Sequence, residues 1–223
     1  MSDSIVRISR FGFVNAYLIR EDDGLTLVDT MLPGSAKSIL GAAERLGAPI
    51  KRIALTHAHG DHIGSLDALA AALPGAEVLI SERDERLLRK DKTMDPGEPP
   101  SKLRGGYPGA KTRPSHTLQP GDMVGSLEVI AAPGHTPGHV AFLDRRDGTL
   151  LAGDAYTTLG GVATTAKFVM PFPLAAMSTW DGPTELESAR ALRALEPNRL
   201  APGHGKIIDA PLAAMDAAIA KAA

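Results

Sequence analysis

The chain of 223 residues contains no cysteine. That excludes disulfides, thiolate nucleophiles and thiolate metal ligands, so any metal site must be built from imidazole and carboxylate. Aromatic residues are scarce at 4%, and no segment approaches the roughly 18 uninterrupted apolar residues that a membrane span needs. Neither sign of charge dominates. The 24 Lys and Arg stand against 26 Asp and Glu, for a formal net charge of -2, so the basic footprint of a nucleic-acid binder is missing. The opening MSDSIVRISRFGFV has no apolar run behind a basic start, as an export signal would, and a cytoplasmic protein is expected. What remains is an ordinary globular composition, 43% apolar and 22% charged. It can bury a substantial core, is expected to form a single domain over residues 1–223, and specifies no oligomeric state.

Periodicity then organises the chain. NAYLIRED and GLTLVDT read as two strands joined at Asp22, Asp23 and Gly24, with Asp29 at the end of the second. SAKSILGAAERLG, 35–47, places Ile39, Leu40, Ala43 and Leu46 at helical spacing and stops at Gly47. IKRIAL is a short strand delivering Thr56 and His57, GSLDALAAAL a helix and AEVLIS a strand. That alternation predicts an α/β fold. Residues 92–120 are dense in Pro and Gly without periodicity, and are expected to be a lid or a disordered excursion. The opening theme then returns. GSLEVIAA is a strand before a glycine-rich turn, and HVAFLDRRDGTLLAGD a hairpin ending at Asp154. PTELESARALRALE, RLAPGHG and APLAAMDAAIAKAA follow as helix, short strand and helix, so two similar layers are expected.

The chemistry concentrates in LTHAHGDHIG, where His57, His59, Asp61 and His62 fall within six positions. His135 in APGHTPGH, Asp154 in LAGDAY and His204 in APGHG each follow an apolar strand. Loops at the carboxyl ends of strands in an α/β sheet converge on one crevice, so these distant residues can share a site. One catalytic zinc takes about three protein ligands and keeps a position for water. Five histidines and two aspartates exceed that and suit two metal ions sharing a carboxylate. His57 and His59 can face one ion while the turn directs Asp61 and His62 to the other. Flanking glycines such as Gly60, Gly134 and Gly203 permit the tight turns this requires.

HAHGDH, PGHTPGH, GD and PGHG in that order resemble the metallo-β-lactamase superfamily of αββα-fold metallohydrolases, over nearly the whole chain. The resemblance implies a four-layer αββα sandwich with two similar halves. It places a first metal on His57, His59 and His135, a second on Asp61, His62 and His204, and Asp154 between them, with Asp29 supporting the metal loop. The implied cofactors are two divalent ions, zinc first, with iron and manganese as alternatives. Such ions lower the pKa of a shared water and polarise a carbonyl, so hydrolysis of a small-molecule acyl substrate is expected, an ester, lactone or thioester, with no nucleic-acid or membrane partner. Asp61 and Asp154 are the residues on which turnover should depend most.

Within the superfamily the PGHTPGH turn is similar to that of glyoxalase II thioesterases, whose extra helical domain has little room in the residues after His204. Lactonases place a tyrosine where this chain has Thr157, with Tyr156 one residue earlier. β-Lactam hydrolysis and a mononuclear iron enzyme of the sulfur-dioxygenase type are the alternatives. A regulatory module with decayed catalysis is disfavoured by the complete ligand set. His116 belongs to no motif and is expected to face solvent, His139 to back His135, and Asp67 and Asp84 to be helix-surface charges. Phe168, Met170, Phe172, Met177 and Trp180, in the 156–183 insert, are expected to line the site and, with the 92–120 loop, to set selectivity.

Overall fold

The computed structural model describes residues 4–170 and 172–223. In its first half the elements are β1 (Ile5–Arg10), β2 (Val14–Glu21), β3 (Gly24–Val28), α1 (Ala36–Leu46), β4 (Ile50–Ala54), α2 (Gly60–Ile63), α3 (Leu66–Ala72), β5 (Glu77–Ser81), α4 (Glu82–Leu88) and β6 (His116–Leu118). The second half holds β7 (Met123–Val124), β8 (Leu127–Ala131), β9 (Val140–Asp144), β10 (Thr149–Thr157), β11 (Ala163–Thr164), α5 (Leu174–Ser178), α6 (Gly182–Ala194), β12 (Arg199–His204), β13 (Ile208–Asp209) and α7 (Leu212–Ala222).

The strands run β6-β5-β4-β3-β2-β12-β10-β9-β8-β7, with β1 beside β2, β11 beside β10 and β13 beside β12. β3, β4, β5 and β6 are mutually parallel, as are β10 and β12. The two halves of this sheet join through the pairing of Val14 with His204, so the hinge of the fold lies beside a predicted ligand.

Alternation along the strands sorts side chains into layers. On β2, Ala16 and Leu18 face a cluster with Ile39 of α1, Leu66 and Leu69 of α3 and Leu87 of α4. Tyr17 and Ile19, one position on, join Val129, Val140, Phe142 and Leu151 of the second half. On β9 the neighbours of Phe142, Ala141 and Leu143, turn outward to Leu192 of α6 and Met215 of α7. Helices, sheet, sheet and helices therefore stack as four layers, the expected αββα arrangement. A fully buried leucine such as Leu18 typically costs about 2–5 kcal/mol when cut to alanine.

Two expectations change here. β10 does not stop at Asp154 but continues to Thr157, with its register against β12 shifting on either side of Gly153. Residues 92–120 are pinned to the body rather than forming a free excursion. Arg83 of α4 holds Glu98 by paired contacts of 2.6 and 3.0 Å, and Trp180 Nε1 donates to Ser101 O at 2.9 Å. Asp67 accepts the backbone N–H groups of Lys111 and Thr112 at 3.0 and 2.8 Å. Asp67 is exposed as expected, yet it is an anchor for this loop and not an idle charge. His116 is exposed on β6.

Candidate metal centre

The loop after β4, the turns after β8 and β3, strand β10 and the end of β12 bring the predicted residues together. Ligand-type atoms of His57, His59 and His135 cluster within 4.8 Å of one another, as do those of Asp61, His62 and His204, and those of His57, His62 and Asp154. All are buried except Asp61, which is half-buried. His59 Nδ1 lies 3.1 Å from His57 Nε2 and 3.0 Å from His135 Nε2.

The outer ring nitrogens decide what those inner nitrogens carry. Thr56 Oγ1 donates to Asp29 Oδ2 at 2.8 Å, so it accepts from His57 Nδ1 at 3.0 Å. His59 Nε2 donates to the carbonyl of Arg104 at 3.0 Å. Thr179 Oγ1 donates to Thr165 O at 2.9 Å and accepts from His135 Nδ1 at 3.0 Å. Each imidazole thus spends its single N–H outward, leaving three lone pairs aimed at one point. Burial lowers the pKa of all three, that of His57 and His135 well below the usual value, so protons do not fill that point. Tetrahedral zinc with Zn–N bonds of about 2.0–2.1 Å would set nitrogens about 3.3 Å apart, close to the separations found. The donor set fits a metal ion.

A second convergence adjoins it. His62 Nδ1 contacts Asp29 Oδ2 at 2.8 Å, leaving Nε2 3.2 Å from Asp154 Oδ1. Both atoms are buried and make no directed hydrogen bond. His204 Nε2 stands 3.3 Å from Asp61 Oδ2 and 3.1 Å from Asp154 Oδ2, and that same Asp154 oxygen is 3.4 Å from His135 Nε2. Burial pushes the Asp154 carboxyl up, but the field of His204 and His62 outweighs it and holds the group well below its ordinary value. Burial likewise lowers His62 and His204, and Asp154 outweighs it, raising His62 well above normal and His204 to about 9. This pocket of carboxylates demands positive charge, which a divalent cation supplies. Gly203 lets β12 pass close to these side chains, since a Cβ there would collide with Asp154 Oδ1 and the His62 ring.

Several partners were not foreseen. His139 packs edge-on against His135 as expected, at 6.0 Å between ring centroids, and also stands behind Asp154. Its Nδ1 donates to Ala132 O at 3.1 Å and its Nε2 accepts the Asp154 N–H at 3.0 Å. Asp84, expected on a helix surface, is fully buried between two ligand loops; it follows the end of β5 as the ligands follow their strands, and that placement was the available signal. Asp29 adopts the left-handed φ of 62° that aspartate tolerates, and accepts Thr56 N–H at 2.9 Å while holding His62. The Arg104 carbonyl has no signature in the sequence.

A cavity of about 200 Å³ opens onto His59, Asp61, His135, Asp154 and His204, with walls that include Phe13, Leu32, Phe172 and Leu174. Of the aromatic and methionine residues expected to line the site, Phe172 does so. Phe168, Met170 and Met177 face solvent, and Trp180 is buried, its backbone N–H donating to His135 O at 3.0 Å.

Residues 9–204 match the family model of the metallo-beta-lactamase superfamily. The chain belongs to the metallo-β-lactamase superfamily. Among superfamily relatives, YobT of Bacillus subtilis (strain 168) is 47% identical over 210 residues, covering 94% of this chain and 90% of that protein. A hydroxyacylglutathione hydrolase of Xanthomonas axonopodis pv. citri (strain 306) is 34% identical over 143 residues, 64% of this chain but 46% of its own length. The solved TTHA1623, in a di-iron-bound form, aligns with a TM-score of 0.66 at 26% identity, over 93% of this chain and 94% of that one. Superfamily membership makes the chain a metal-dependent hydrolase. Among the described residues no helix is long and apolar enough to cross a membrane.

Proposed function

We propose that the protein is a dinuclear metallohydrolase of a small neutral ester, thioester or lactone. The observation that carries this reading is the position of Asp154, whose Oδ2 lies 3.4 Å from His135 Nε2 and 3.1 Å from His204 Nε2, where one carboxylate serves both clusters. His57, His59 and His135 would hold the first ion, Asp61, His62 and His204 the second, and Asp154 both. When bound, the two ions would supply an acidified water and polarise an acyl carbonyl.

The rest falls to the protein. Phe13, Leu32, Phe172 and Leu174 wall the cavity and would receive an apolar acyl group beside His59 and His204, which also line it. Among the described residues no lysine or arginine lines the cavity, which favours a neutral substrate over one whose carboxylates need cationic partners. A thioester draws support from the hydroxyacylglutathione hydrolase relatives. The lactonase reading has less, because Tyr156 donates its hydroxyl to Ala189 O at 2.7 Å, toward α6 and away from the cavity. Zinc is the first metal to test, and the di-iron-bound relative makes iron the second.

The test is proton release by metal-loaded protein across a glutathione thioester, an acyl-homoserine lactone, a simple aryl ester and a β-lactam. Turnover of the aryl ester or the lactone supports the proposal, and turnover of the charged glutathione thioester alone would overturn its neutral-substrate part. Oxygen consumption by iron-loaded protein with no hydrolysis of the panel would replace it with the redox reading.

A further inference from the structure

We infer that Asp84 is a positioning residue that sets the first metal site by holding its two ligand loops in register. The inference rests on reading His57, His59 and His135 as that site. Asp84 lies in the first turn of α4 and is fully buried. Its Oδ2 accepts the N–H of Ala58, between His57 and His59, at 2.9 Å, and the hydroxyl of Thr136, next to His135, at 2.7 Å. Its Oδ1 accepts the N–H of Gly138 at 2.8 Å. Ser81 completes the link, accepting the Asp84 N–H at 3.2 Å and donating to Gly138 O.

These bonds join segments far apart in the chain that must nonetheless present His59 Nδ1 and His135 Nε2 3.0 Å apart. A carboxylate suits the task because every partner it meets is a donor, and a buried charge is stable only when its lone pairs are so occupied. A packing residue of the same size could fill the space without fixing the distance. The second cluster is outside this arrangement, since among the described contacts Asp84 makes none with Asp61, His62 or His204. Nor does Asp84 act alone. Arg83, its neighbour on α4, grips Glu98, tying the same helix to the loop whose Arg104 carbonyl orients His59.

Asp84→Asn separates acceptor from packing. The amide has nearly the same volume but turns an NH₂ toward Ala58 and Thr136 or toward Gly138, so a donor meets at least one backbone N–H and at least one of the three bonds is lost. The experiment reads zinc affinity by competition with a chromophoric chelator, in backgrounds that isolate each position. In an Asp61→Ala background, which leaves the first position, Asp84→Asn should weaken zinc by about 10- to 100-fold. In a His135→Ala background, which leaves the second, the change should stay under about 3-fold. Thr136→Val keeps the carboxylate and removes one bond, and should give a smaller loss of about 5-fold, again at the first position only; it decides the matter if Asp84→Asn does not fold. Equal losses at both positions would make Asp84 a general packing residue and overturn the inference, as would unchanged affinity at the first. Wild-type protein that binds no zinc and no iron would instead overturn the metal centre itself.

Discussion

Gly105→Ala is expected to weaken the first metal position while leaving the protein folded. Gly105 has φ +81°, and a Cβ added there would lie 2.4 Å from His59 Nε2 and 2.8 Å from its Cε1. Ordinary contact begins near 3.5 Å, so the ring must retreat by about 1 Å, or the loop must lift and break the 3.0 Å bond from His59 Nε2 to Arg104 O. Either movement swings Nδ1 away from His57 and His135. Losing an outer partner of a metal-binding histidine reduces affinity by about 10- to 100-fold, or about 1.4–2.7 kcal/mol. The left-handed alanine adds about 1–2 kcal/mol of backbone strain, less than the ~5–15 kcal/mol that stabilises a typical domain. Chelator competition in an Asp61→Ala background measures the first position, and circular dichroism checks the fold. Unchanged zinc affinity there, in a folded variant, would refute the claim that the 104–107 segment orients His59.

The remaining predictions concern pH, selectivity and a negative control. Burial pushes the His139 pKa down to about 3, against ~6.5 in the unfolded chain. Between those values only the unfolded chain takes the proton, so the stability is complete above about pH 6.5 and declines as pH falls, by up to ~1.4 kcal/mol per unit. Denaturant unfolding of metal-free protein should show a shallower pH slope for His139→Asn than for wild type, and equal slopes would contradict the assignment. Phe172→Ala should raise KM for an apolar ester by about 5- to 30-fold, with kcat and metal content little changed; a kcat loss instead would place Phe172 nearer the reacting atoms than its wall position implies. His116→Ala should leave metal content and turnover as they are, and a large rate loss would show that an exposed residue of β6 takes part.

The parts of the fold with a period were readable from the residues. On α1, Ile39 and Ala43 of the four residues read at helical spacing are buried, and Leu40 and Leu46 are partly buried against the same core, and Asp147 and Gly148 mark the turn between β9 and β10. β7, β11 and β13 span two residues each and carry no period at all. In α4 the helix was legible but its buried face was not, because SERDERLLRK is dense in charge and that face includes an aspartate. The seven metal-type residues stand out by type and by the strand ends they follow, and the structure gathers them. Their partners do not stand out. Thr179 is 44 residues from His135, and the group that orients His59 is a backbone carbonyl, which any residue could provide.

Metal content per chain tests the central claim most directly. Wild-type protein reconstituted with zinc and then dialysed should hold two ions, and Asp61→Ala one, with most turnover lost alongside the second. Two ions and near-normal turnover in Asp61→Ala, or no more than one ion in the wild type, would contradict the dinuclear account.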